Sequence, residues 1–289
     1  MLVLIFFFFV TRFVYYYRIK AEIKRKCENV KENDEGLITK VIKEGNKDEQ
    51  AILGKLFVHF TGKELDAIVI VIQKNPRAAK LTFLILKYDQ EYASKTSFVI
   101  VLQGQLVENT EVMKSLGSFI KSHPKLQNLV VGELESESAV SCYDNLTYVF
   151  EAISLSKTLK NFGAIRMLKT ETNFKPETLV KITSSLGRCK LDSLGICNYS
   201  FGQEGKKKIY EGISKNPNLK LVGVQDLETK STTDVESIVK YFAKSQSLKM
   251  LAIGATLDDK YEECQKKSET ILRASSKIEG VLIGLVHLK

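Results

Sequence analysis

The feature that most constrains this chain is a spacing. An aliphatic residue is followed by a second three positions later and by a third two after that, and the set recurs along the sequence. Leu126/Leu129/Val131, Leu219/Val222/Val224 and Leu248/Leu251/Ile253 are the clearest copies, and matching sets start at Leu53, Leu81, Leu159, Leu191 and Ile278. From Leu126 onward, successive first positions lie 33, 32, 28, 29 and 30 residues apart. Helical patterns fill the intervals. Val112, Met113, Leu116, Phe119 and Ile120 share a face near 109–121, and further helices are predicted near 204–214 and 232–244. Two of these stop at Ser122-His123-Pro124 and Lys215-Asn216-Pro217, where proline cannot continue a helix. A strand–helix unit of this size cannot bury its apolar face alone and must stack on its neighbours. That predicts an elongated array with a long surface and no closed pocket.

The first cycles are less regular. A short helical pattern at 35–50 precedes a strand set at Leu53/Leu56/Val58, and a helix is predicted from Gly62 to Lys74, ending at Asn75-Pro76. Leu81/Leu84/Leu86 then reads as the next strand. From Leu81 to Leu126 is 45 residues, too long for one cycle and too short for two. TSFVIVLQGQLV (96–107) reads as an extra strand, so a degenerate repeat is expected near 88–108.

The phrases FIKSHPKLQNLVVGEL (119–134) and ISKNPNLKLVGVQDL (213–227) resemble the leucine-rich repeat family, in its ribonuclease-inhibitor-like subclass. The resemblance covers roughly residues 50–289. It implies an α/β solenoid, a horseshoe with parallel strands on the concave side and helices on the convex side, over a domain of residues 32–289. One position departs from the family. Where a typical unit sets an asparagine to hydrogen-bond the turn after the strand, this chain has Thr61, Asp89, Leu134, Met167, Tyr199, Leu227 and Thr256. The subclass includes GTPase-activating proteins, which resemble this chain in architecture alone, so regulation of a small GTPase is the weakest of three functional readings.

In such units the leucines face the core and the residues between them face the open side of the sheet. Those positions carry no stripe of one charge sign, so nucleic acid is not expected as a partner. Their middle members are small or apolar, which fits either an unused face or a shallow apolar trough for a protein partner. In the second reading the partner-binding residues are Phe83, Ile85, Val130, Gly163, Gly195, Leu221, Gly223, Met250, Ala252 and Leu282. A contact at the edge of the last repeat, after Ile278/Val281/Ile283, is also expected, because an array needs its final unit covered.

Residues 1–31 form a separate segment, LVLIFFFFV and FVYYY followed by a basic stretch. It holds seven Lys and Arg against two Glu, and so supplies +5 of the formal net charge of +9. Residues 1–17 are short for a spanning helix and contain Arg12. A membrane anchor, an atypical signal peptide and an apolar helix buried against protein all remain open. The anchor reading places the rest of the chain on the cytoplasmic side. Five scattered cysteines without a CxxC pair fit a reducing, intracellular compartment.

No catalytic, cofactor-binding or metal-binding set can be assembled. His59, His123 and His287 fall in different repeats, and nucleotide-binding and zinc-protease signatures are absent. Carboxylate groups such as Glu133/Glu135/Glu137 and Asp258/Asp259/Glu262/Glu263 are expected in loops and helix starts, and Lys206-Lys207-Lys208 on a solvated helix face. The expectation is a non-enzymatic scaffold binding protein partners through its repeats, with a structural subunit of a large assembly, its termini buried, as the alternative.

Overall fold

The sheet follows the chain. The computed structural model describes residues 58–61, 67–72, 76–88, 90–134, 140–142, 144–166, 171–199, 201–225, 229, 231–255, 261–275 and 277–285. Residues 1–31, the pattern at 35–50, Leu53 and Leu56 lie outside these, as do His287 and most of the acidic loop residues. The strands are β1 (Val58–Thr61), β2 (Ile68–Ile72), β3 (Ser97–Gln103), β4 (Asn128–Leu134), β5 (Val140–Cys142) and β6 (Asn161–Arg166). They continue with β7 (Glu171–Asn173), β8 (Ser193–Cys197), β9 (Leu221–Gln225), β10 (Met250–Ala255) and β11 (Gly280–Leu285). The helices are α1 (Pro76–Tyr88), α2 (Gln90–Ala93), α3 (Thr110–Ser122), α4 (Leu146–Leu155), α5 (Pro176–Arg188), α6 (Gly202–Ser214), α7 (Thr232–Phe242) and α8 (Tyr261–Ser275).

Nine strands make one sheet in the order β1-β2-β3-β4-β6-β8-β9-β10-β11. Strand β1 is antiparallel to β2, and every later pairing is parallel. Consecutive helices touch in turn, α1 on α3, α3 on α4, and so on to α7 on α8. A doubly wound sheet reverses its strand order and carries helices on both faces. Among the described residues the strand order of this sheet follows chain order and the helices form one layer, so the architecture is a repeated, solenoid-like α/β array.

The core lies between that layer and one sheet face. Ile68, Phe98, Leu129, Phe162, Leu194, Val222, Leu251 and Val281 pair across successive strands as one buried row. Their spacings are 30, 31, 33, 32, 28, 29 and 30 residues. The two longest intervals hold β5 and β7, which pair as a separate two-stranded ribbon that sequence reading did not foresee. Helix α3 shows the local logic. Asn109 caps its start by accepting from the Val112 amide, and Val112, Met113, Leu116, Phe119 and Ile120 turn the expected face to the sheet. Helix α7 starts with a capping box between Ser231 and Asp234.

The first cycles need correction. The expected helix from Gly62 to Lys74 is interrupted by β2, whose sequence IVIVI is unbroken and β-branched. Such residues lose rotamer freedom in a helix and pack well on a pleated sheet, which outweighs the three-and-four spacing of Ile68, Val69 and Ile72. The proline taken as a stop begins α1, where its missing amide proton costs nothing. Leu81, Leu84 and Leu86 are therefore helical. Once the cycle is counted from Ile68, the segment 88–108 holds the end of α1, the short α2, strand β3 and a 3-10 turn at Gly104–Glu108.

Candidate interaction surfaces

The sheet face away from the helices carries three rows. The first runs Ser97, Asn128, Asn161, Ser193, Leu221, Met250, Gly280, each paired to the next. The second runs Val69, Val99, Val130, Gly163, Gly195, Gly223, Ala252, Leu282. The third runs from Val71 and Val101 through Gly132, Ile165, Cys197 and Gln225 to Gly254 and Gly284. Of the residues expected to bind a partner, Val130, Gly163, Gly195, Gly223, Ala252 and Leu282 fall in the second row, and Leu221 and Met250 beside them in the first. Phe83 and Ile85 do not join them. Both are buried on α1 within the helix-side core, because the segment that carries them is not a strand.

Exposure divides the face. Val71, Val99, Val101 and Val130 are buried, and so are Cys197, Gln225 and Ala252. Met250 and Leu282 are 41% and 39% exposed, and Leu221 is half-buried beside them. At the start of the face the first row is polar and bonded laterally. Asn128 Nδ2 donates to Ser97 Oγ at 2.8 Å, and Asn161 Nδ2 donates to Asn128 Oδ1 at 2.6 Å. The face is thus open at its C-terminal end, at Leu221, Met250 and Leu282.

In four repeats a buried polar residue sits before the strand. His123, Ser156, Asn216 and Ser245 all follow a helix and are buried. Each accepts a hydrogen bond from an amide two or three residues on, so each closes the turn into the next strand. Asn216 also donates through Nδ2 to the carbonyls of Leu186 and Cys189, tying its repeat to the one before. The shared phrases His123-x-x-Leu126, Ser156-x-x-Leu159, Asn216-x-x-Leu219 and Ser245-x-x-Leu248 carried this signal unnoticed. After the strands, one asparagine plays the expected part a residue early. Asn198, at φ 60°, donates from Nδ2 to the Arg166 carbonyl at 2.8 Å.

The same turns hold a basic edge that charge counting by segment missed. Lys95, Lys125, Lys157, Lys160 and Lys190 are exposed in the turns that lead into β3, β4, β6 and β8. Lys215, Lys220, Lys244, Lys249 and Lys277 are exposed in those that lead into β9, β10 and β11. The acidic residues described in these turns, Asp192 and Glu279, are paired at 2.8 Å with Lys220 and Lys249. A notch of about 480 Å³ opens on this edge between the ends of α6 and α7, walled by Glu211, Asn216, Tyr241, Lys244 and Ser247. At the opposite edge the helices begin with acids: Glu111, Glu177, Glu204, Asp234, Glu262 and Glu263.

The remaining chemistry-bearing residues are absorbed into packing. His123 stands edge-on to Phe98 and Phe119 at 5.3 and 5.2 Å, and burial holds its imidazole below the ordinary range, partly offset by the Tyr92 carbonyl. Burial raises the thiols of Cys189, Cys197 and Cys264 above the usual value, Cys197 most fully enclosed. Glu133, expected in a loop, is a buried residue of β4 facing Arg166 of β6. The side chain of Asn145 is engaged as that of Asn198 is, donating to the Glu108 carbonyl and accepting from Thr110. At β11, Gly280 faces β10, so Val281 turns its carbonyl to the outer edge, where Gln265 Nε2 of α8 donates to it at 3.0 Å. Among the described residues no helix is long and apolar enough to cross a membrane, and no cluster of three metal-ligating side chains forms. No family model matches this chain, and no curated protein matches it either.

Proposed function

We propose that this chain is a non-catalytic scaffold, a divergent leucine-rich repeat horseshoe that holds a protein partner on the open face of its sheet. The observation that supports this most directly is the one-sided layer of the described helices, with the other sheet face exposed at its C-terminal end. On that face Leu221, Met250 and Leu282 form an apolar end beside the small side of Gly223, where an added methyl group would meet open space. Apolar residues of this size on an open surface are a feature of interaction sites.

The test is affinity purification with the full chain and with the double variant Met250→Glu/Leu282→Glu. Proteins recovered by the first and lost with the second, identified by mass spectrometry and then shown to bind directly as purified components, are the expected result. An identical set of recovered proteins would overturn the assignment of this face. Stimulation of GTP hydrolysis by a small GTPase would overturn the non-catalytic reading in favour of enzyme regulation.

A further inference from the structure

We infer that the lysine edge seats this protein on an anionic lipid surface, with the starts of the strands toward the membrane. The strands pair in register from Ser97 to Gly280, so the turns that precede them lie at one level of the array. Every one of those turns presents at least one exposed lysine. Complementing helix dipoles accounts for Lys157, Lys190, Lys215 and Lys244 at the helix ends but not for the lysines further on, because that effect fades beyond the last helical turn. Lys125 lies three residues past the end of α3, and Lys160, Lys220 and Lys249 stand immediately before β6, β9 and β10.

The identity of the cations selects the partner. All ten are lysine, strongly hydrated point charges without the planar fork that grips a single phosphate or a base edge. A groove for single-stranded nucleic acid interleaves exposed aromatic side chains for stacking, and the aromatic ring in these turns, that of His123, is buried against Phe98 and Phe119. Glu211 in the wall of the notch disfavours a discrete anion there, so the field acts collectively and not through one pocket. With acids leading the helices at the far edge, the charge separation also sets the orientation. Each lysine held near an anionic bilayer strengthens binding about fivefold.

The experiment is co-sedimentation of the full chain with phosphatidylcholine vesicles that contain or lack phosphatidylserine. The ratio of the two affinities removes whatever residues 1–17 contribute to neutral lipid. One variant replaces Lys125, Lys157, Lys190 and Lys244 by glutamine. A second, of equal net charge, replaces Lys181, Lys207, Lys208 and Lys266, which are exposed on the helices. The expected result is a preference for phosphatidylserine that falls at least about tenfold in the first variant and less than about twofold in the second. Salt gives a reading independent of any variant, since the wild-type preference must drop steeply as ionic strength rises. An absent preference, an equal loss in both variants, or indifference to salt would overturn the proposal. So would a first variant that loses affinity for single-stranded RNA while keeping its preference for phosphatidylserine.

Discussion

Arg166 Nε lies 3.6 Å from Glu133 Oε2 across the adjacent strands β6 and β4, with both side chains shut away from solvent. They occupy the end of a core row that is otherwise aliphatic or aromatic. Removing one charge leaves the other buried without this partner, which costs far more than the pair contributes. Glu133→Ala or Arg166→Ala is expected to lose about 3–5 kcal/mol, whereas Glu133→Leu/Arg166→Met together should recover most of that loss. Urea denaturation of the three variants checks it. Single losses below about 1 kcal/mol would mean the pair behaves as a solvated one.

Helix packing gives an opposed pair of glycine predictions. A Cβ on Gly212 of α6 would lie 2.6 Å from Thr183 Cγ2 and 2.9 Å from the Thr183 carbonyl on α5. At Gly187 of α5 the nearest contact is an ordinary 3.6 Å to the Gly212 carbonyl. Gly212→Ala should therefore destabilise by about 1–3 kcal/mol as the helices separate. Gly187→Ala should be neutral or stabilising by up to about 1 kcal/mol through helix propensity. Thermal unfolding that moves in the same direction for both would contradict the described packing.

His123 gives the fold a pH dependence of definite sign. Its folded pKa is depressed, chiefly by burial, so the unfolded chain takes up the proton more readily. Its contribution to stability is whole above the unfolded value and is lost as the pH falls from there through the folded value. Between about pH 7 and pH 5 the wild type should lose stability faster than His123→Gln, which has no proton to gain. Parallel melting curves for the two proteins across that range would count against it.

The buried thiols predict selective chemistry. Cys189, Cys197 and Cys264 are enclosed, and their raised pKa values leave little thiolate at neutral pH. Brief alkylation of the native protein followed by peptide mapping should leave these three unlabelled, with labelling appearing once urea unfolds the chain. Rapid native labelling at Cys197 would show that its strand opens.

The leucine spacing was legible wherever it was the only apolar signal. From Leu126 to Ile283 each predicted strand set lands as expected, the first residue leading into the strand and the next two facing the core. It misled at 62–86, where the apolar runs AIVIVI (67–72) and LTFLIL (81–86) are dense enough for two periods to fit equally well. There the β-branched character of IVIVI and the dual meaning of proline decided the outcome, and Phe83 and Ile85 left the surface with them. The open face was readable because alternation is strict in a strand. Its burial at Val99, Val101 and Val130 was not, since period alone says which side a residue faces and nothing of what stands over it. The turns were read least well. Their lysines and their buried His, Ser and Asn belong to no hydrophobic period, and only the register of the sheet brings them into line.

The amide of Gln265 has a consequence for how this array meets other chains. It holds the place that the amide of an added strand would take beside Val281. Being tethered to α8, it competes at the high effective concentration of an intramolecular group. A strand arriving at β11 must therefore bring enough additional binding to displace it, so the last strand discriminates against casual pairing in proportion to how firmly α8 is held.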